Sequence, residues 1–243
     1  PEVAPAAVQA PPRTPAQAVP VLQNEVVVIC DVAYTKLEVV GRGGTSQVFR
    51  VLAPNGQIYA LKQVCYASDP PLLEAVENEI ALMQKLNAMG AAVTDHIIQM
   101  VSAEVLPEAQ LIYIVMEYGE IDLAHMLQRE RGGKDRGIDV VSLCSHWQQM
   151  LRAVHAIHEA RVIHGDLKPA NFLSVRGTLK LIDFGIAKEK GTDTTNINRD
   201  AIVGTLNYMS PEAITEKGEE GEGGGEGGSS HKLGRASDVW SLG

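Results

Sequence analysis

The sequence predicts an α+β chain folded as two lobes: a smaller lobe built on an antiparallel β-sheet with one key helix, followed by a mainly helical lobe. Three observations predict it. From Glu25 onward, short runs rich in Val, Ile and Tyr alternate with Gly, Pro and Asn, the pattern of strands joined by tight turns. Between residues 70 and 89 the apolar spacing changes to that of a helix. After a continuous apolar run at 111–118, residues 139–160 carry the longest helical stretch of the chain. The expected boundaries are a disordered Pro/Ala-rich tether over 1–24, the sheet lobe over 25–118 and the helical lobe over 119–243, joined near 117–123.

Each element has a local reason. The opening PEVAPAAVQAPPRTPAQAVP cannot bury a core and reads as an extended tether. VVVIC, YTKLEVV, SQVFRVL and QIYALKQV are the strand candidates, and the PNG at 54–56 has the residues of a hairpin turn. Leu73, Val76, Ile80, Met83 and Leu86 recur at helical spacing, with Gly90 placed to end that helix. LIYIVMEY fits a buried strand. In the long helix, Leu143, Trp147, Met150, Leu151, Val154 and Ile157 lie on one face, which marks Trp147 and Met150 as core, and Asp139 is its N-cap. FLSV and LKLI flank an Arg176-Gly177 turn. Residues 216–236 are low in complexity and rich in Gly and Glu, the composition of a disordered acidic insertion.

Composition narrows the function classes. The 243 residues carry a formal net charge of −9, against the basic face of a nucleic-acid binder. No run reaches the length of a membrane span, and the three cysteines form no CxxC pair, so a soluble chain in a reducing compartment is expected. His155 and His158, three apart on a helix, lack a third ligand and read as packing residues rather than metal ligands.

The chemistry concentrates in VIHGDLKPANFL at 162–173. Asp166 and Asn171 fit H-x-D-x-x-x-x-N, and Asp183-Phe184-Gly185 follows after a strand, a turn and a strand. Moving a phosphoryl group needs an acceptor for a hydroxyl proton, oxygen ligands for magnesium, and positive charge on the phosphates. Asp166 suits the first task, Asn171 and Asp183 the second, and Lys168 can reach the γ-phosphate. Upstream, Gly41, Gly43 and Gly44 precede Ser46 and Val48 between two strands, where glycines let backbone approach phosphates. In YALK, Ala60 and Lys62 share a strand face: Ala60 is small enough to lie under an adenine, and Lys62 can reach the α- and β-phosphates. Glu79, within an apolar helical stripe, is the carboxylate expected to hold Lys62.

In this order these residues resemble the eukaryotic protein-kinase signature set from about Tyr34 onward. Ser210-Pro211-Glu212 stands where the family has its APE, and DVWSLG at 238–243 resembles the start of its large helix in the helical lobe. The resemblance implies the bilobal kinase fold, ATP and Mg²⁺ as cofactors, and roughly 80 to 100 further residues after Gly243 to complete the lobe. IHGDLKPANFL, LKLIDFGIA, VGTLNYMSPEAI, VMEYGEIDL and GRGGTSQVF are similar to the monopolar-spindle (TTK) dual-specificity kinases of the spindle checkpoint. That closer likeness implies Met116 as gatekeeper, hinge backbone groups of Glu117 and Gly119 at adenine, Asp122 near the ribose and Leu173 in the nucleotide site. It also implies Thr194 and Thr195 as autophosphorylation sites reached through a transient dimer, and Thr205 in the substrate-facing loop. Checkpoint proteins of the kinetochore are the implied partners, and the nucleus, kinetochore and cytoplasm the implied locations. Gly165 stands where many kinases have an arginine that grips a phosphorylated loop, so activation through other contacts is expected. The competing expectation is a catalytically impaired binding module, because the helical lobe is incomplete in this chain.

Overall fold

The computed structural model describes residues 25–67, 69–131, 139–184, 188–189, 206–211 and 234–243. The expected tether over 1–24 and acidic insertion over 216–236 therefore lie outside the described residues, apart from Gly234 to Ala236 at its end.

The chain begins with a hairpin of β1 (Val26–Ile29) and β2 (Val32–Arg42). Cys30 and Asp31 turn it with φ of 48° and 63°, the left-handed pair that matches strand twist in a two-residue loop. The Glu104 carboxylate stabilises the turn by accepting the Cys30 N–H at 2.7 Å. β3 (Ser46–Leu52) and β4 (Ile58–Cys65) follow around the PNG turn, where Gly56 has φ 79°. With β5 (Met100–Leu106) and β6 (Leu111–Glu117) they make one antiparallel sheet in the order β1-β2-β3-β4-β6-β5. β5 was not anticipated from the sequence.

The sheet has a core on each face. Ile29, Tyr34, Val51, Leu61, Tyr113 and Val115 fill one, where the β1–β2 hairpin curls over the strands. The other face meets α1 (Pro70–Asn87), whose Val76, Ile80, Met83 and Leu86 are buried as the spacing requires. Asp69 caps α1 by accepting the Leu72 N–H at 3.1 Å, and Pro70 stands where no N–H is needed. Gly90 does not end α1, contrary to expectation. The C-cap is Ala88, and Gly90, with φ 83°, instead starts the short helix α2 (Ala91–Thr94). The sheet lobe thus holds a second short helix besides the predicted one.

After the short strand β7 (Ile121–Asp122) come α3 (Leu123–Arg131) and α4 (Val140–Glu159), the latter capped by Asp139 as expected. β8 (Val162–Ile163), β9 (Phe172–Val175), β10 (Thr178–Leu181) and β11 (Lys188–Glu189) make two small sheets, β10-β9-β7 and β11-β8. α5 (Arg235–Leu242) closes the described chain.

The face of α4 departs from expectation. Trp147 is half exposed rather than core, and Leu143 and Leu151 are exposed with it, while Met150 is partly buried. Val154 and Ile157 of the expected face are buried, and Ala153 and Ala156 are buried beside them. The alanines let α4 lie close against β10, where Gln149 accepts the Leu179 N–H at 2.8 Å, and this turns the larger residues outward. Among the described residues no helix is long and apolar enough to cross a membrane.

Candidate active site

The glycine-rich segment joins β2 to β3 as a tight loop, with the Gly43 N–H donating to Ser46 O at 2.7 Å. Gly41 pairs with Val48 across the strands, and a Cβ at Gly44 would meet nothing within 4 Å. Val48 stands opposite Lys62, and Ala60 opposite Met116, so Val48, Ala60, Lys62 and Met116 are set by one continuous antiparallel register. Directly paired residues put their side chains on one face of a sheet.

Lys62 reaches the helix as predicted. Its Nζ lies 2.9 Å from Glu79 Oε1 and 3.0 Å from Oε2, and Glu79 is buried. Burial is the largest influence on the Lys62 ammonium and pushes its pKa down. The Glu79 charge and hydrogen bond, joined by the charge of Asp183, outweigh it and leave the pKa raised. Lys62 is therefore a fixed cation, held by the carboxylate of one lobe and facing the Asp183 carboxylate of the other.

The turn at 164–171 is built by hydrogen bonds to buried groups. Asp238, on α5 and almost fully buried, accepts the His164 N–H at 2.9 Å, the Gly165 N–H at 2.8 Å and the His158 Nε2 at 2.8 Å. Gly165 has φ 79°, a conformation that glycine adopts without the steric cost that a Cβ brings. Asp166 follows, its carboxylate 2.7 Å from Lys168 Nζ. Buried Asn171 donates its Nδ2 to Asp166 O at 2.8 Å, and its own carbonyl accepts the Ile182 N–H at 2.8 Å. That last bond brings Asn171 beside Asp183, which is exposed and has φ 65°. Phe184 is buried against the His164 ring, with centroids 5.7 Å apart, and this fixes the place of Asp183.

These residues suit the groups that phosphoryl transfer requires. Asn171 and the exposed Asp183 offer an amide and a carboxylate oxygen, the hard donors that Mg²⁺ prefers, at adjacent strand ends. Lys62 and Lys168 supply positively charged side chains, and the loop at 41–46 supplies backbone N–H groups.

The strand from Met116 onward connects the lobes. Gly119 lies so close to β9 that a Cβ there would stand 2.2 Å from Leu173 Cγ and 2.9 Å from Ser174 O, which only glycine avoids. Glu120 N–H donates to Ser174 O at 2.8 Å, and Asp122 pairs with Leu173. Leu173 is thereby held beside the connecting strand. Asp122 engages both carboxylate oxygens with His125, its backbone N–H at 2.9 Å and its ring Nδ1 at 2.6 Å, and so caps α3. The Glu117 carboxylate accepts Lys180 Nζ at 2.7 Å and the Gln99 N–H at 3.1 Å.

Reasoning from the sequence missed three of these residues. His158 and Asp238, eighty residues apart, hold the 164–171 turn, and Lys180 binds the connecting strand. A buried lysine in LKLI, whose neighbours are all apolar, was the only sequence signal for the last. Gly185, Thr194, Thr195, Thr205 and Glu212 lie outside the described residues.

The family model described as Protein kinase domain matches residues 34–243. Among curated relatives, the chain is 46% identical over 221 residues to "Probable serine/threonine-protein kinase mps1" of Dictyostelium discoideum, covering 90% of this chain and 21% of that protein. It is 45% identical over 227 residues to "Serine/threonine-protein kinase mph1" of Schizosaccharomyces pombe, covering 93% of this chain and 32% of that one. To "Dual specificity protein kinase TTK" of Mus musculus it is 42% identical over 221 residues, covering 90% of this chain and 24% of the mouse protein. The chain thus spans a fifth to a third of the length of these relatives.

Proposed function

The chain belongs to the protein kinase domain family, and from that premise we propose that the protein carrying it transfers the γ-phosphate of ATP to Ser and Thr hydroxyls, and to Tyr, of protein substrates. The observation that carries this reading is the formed Lys62–Glu79 pair at 2.9 Å with the Asp183 charge beside it. A lysine so held is a cation at every physiological pH, and its place in the sheet register sets it opposite Val48 at the glycine-rich loop.

Each residue then has a task. The loop at 41–46 and Lys62 bind the phosphates. Asn171 and Asp183 would hold Mg²⁺, which would supply positive charge to offset that of the phosphates. Ala60, Val48 and Leu173 bound the adenine, with hinge groups of Glu117 and Gly119 at its edge and Asp122 near the ribose. Asp166 orients the substrate hydroxyl and takes its proton as the oxygen bonds to the γ-phosphorus and the bond to the β–γ bridging oxygen breaks. Lys168, 2.7 Å from Asp166, spans from that carboxylate to the transferred phosphoryl group.

The likeness to the mps1, mph1 and TTK kinases favours a place in spindle-checkpoint signalling, and we propose kinetochore proteins as substrates and a nuclear, kinetochore and cytoplasmic location. Thr194 and Thr195 are the proposed autophosphorylation sites, reached in trans by a second copy. The test is to incubate the protein with Mg-ATP, alongside Asp166→Asn, and map new phosphate by mass spectrometry. Phosphate on Thr194 or Thr195 in the parent alone supports the reading. No phosphate on the intact protein or on an added protein substrate would overturn it.

A further inference from the structure

Lys180 is a buried lysine on β10, 7% exposed, with a fixed set of partners. Its Nζ lies 2.7 Å from Glu117 Oε2 and 3.1 Å from Thr94 O. The same Glu117 oxygen accepts the Gln99 N–H at 3.1 Å, while Gln99 O accepts the Glu117 N–H at 2.9 Å. The Gln99 side chain returns to Thr94 O at 3.3 Å. Three segments distant in sequence, the end of α2, the connecting strand and β10, thus meet at one charged pair. A buried pair of this kind adds little net stability against apolar residues of the same size, but removing one partner leaves a costly unpaired charge. Its value lies in the geometry that it fixes.

What it fixes is residue 117. The Glu117 N–H is already engaged by Gln99, so a ligand edge that reads this residue meets its carbonyl. Met116 beside it is set opposite Ala60, and Gly119 is set against Leu173. We propose that Lys180 is a positioning residue for adenine recognition: by clamping the Glu117 carboxylate to β10 it holds the connecting strand's carbonyl at the adenine edge. This inference rests on the nucleotide-site reading above. The clamp and the Lys62–Glu79 pair are both formed in this structure. With Lys180 gone, the Glu117 carboxylate would turn toward water and carry its backbone with it. Misplacement of a binding group by about an ångström is enough for a large loss.

The test separates the adenine edge from the phosphate end. On the intact protein, the affinities of adenosine and of inorganic tripolyphosphate are measured by calorimetry for the parent, Lys180→Met and Lys180→Arg. We expect Lys180→Met to weaken adenosine about tenfold and tripolyphosphate by less than about twofold, with Lys180→Arg close to the parent. Glu117→Gln, of equal size and uncharged, should show the same selective loss and serves where Lys180→Met does not fold. Equal adenosine affinity in parent and variants would overturn the proposal, leaving the kinase reading intact. Parallel loss of both ligands would also overturn it, since a general loosening has that signature. A parent that binds neither ligand would overturn the nucleotide-site reading and this inference together.

Discussion

Lys62 shows how far one side chain depends on another. Burial alone would lower its pKa, and the raised value exists because Glu79 and Asp183 outweigh that cost. A lysine raised in the folded state contributes stability in full below its usual value of 10.5, and the contribution fades only as pH climbs through the higher folded value. The Lys62 contribution is thus indifferent to pH across the neutral range. Glu79→Gln removes the main opposing charge and lets burial pull the Lys62 pKa down. Faster labelling of Lys62 by an amine-reactive reagent at about pH 9, read by mass spectrometry, is the expected result. Unchanged labelling would mean that Asp183 alone suffices. Glu79 was legible in the sequence because a glutamate in an apolar helical stripe must have a partner to be buried. Lys180 follows the same rule, but its partner lies 63 residues away on a strand whose own pattern says nothing of it.

At the scale of elements, the ends were more legible than the faces. Asp69 and Asp139 cap α1 and α4 as side-chain acceptors for first-turn N–H groups. That is a local rule, readable from a few residues. Asp69→Ala should therefore cost about 1 kcal/mol of stability, seen as a lower denaturation midpoint. Because Glu79 sits ten residues further along α1, nucleotide affinity should hardly change. A large loss of affinity would show that the α1 start itself is part of the site. The face of α4 is legible at Val154 and Ile157, which are buried, but not at Leu143, Trp147 and Leu151, which are exposed for a non-local reason. Large apolar residues were taken to mark the core, whereas close approach to β10 favours the alanine side. Gly90 was misread for a related reason: a glycine near a helix end can serve either the helix that stops or the helix that starts, and only the fold decides.

For the molecule as a whole, the architecture and the local motifs were legible, because strand period, helix period and the 162–173 turn are all short-range patterns. The supports of the site were not. Asp238 reaches the 164–171 turn from 73 and 74 residues away, joining the end of the described chain to its centre. Asp238→Ala would leave the buried His164 N–H, the partly buried Gly165 N–H and the His158 ring without their acceptor. We expect a loss of about 3 kcal/mol in stability, together with a fall in kcat larger than any change in KM for ATP. A stability loss with kcat intact would show that the turn keeps its shape unaided.

One feature of the lobe junction bears on how the molecule moves. The segment at 96–98 lies against β10: Leu181 donates its N–H to His96 O, and Ile98 donates to Leu181 O, both at 2.9 Å, around the parallel bridge of Ile97 and Leu181. Among the described residues, the sheet lobe meets the helical lobe at this seam, with the Lys180–Thr94 bond beside it, and at the strand through Glu117. Two fixed points define an axis, as do the pins of a gate. We expect the lobes to swing most easily about the line joining those points, which would carry Lys62 and Asp183 apart and together; equal amide-exchange protection of the 96–98 seam with and without bound nucleotide is the result expected of such an axis.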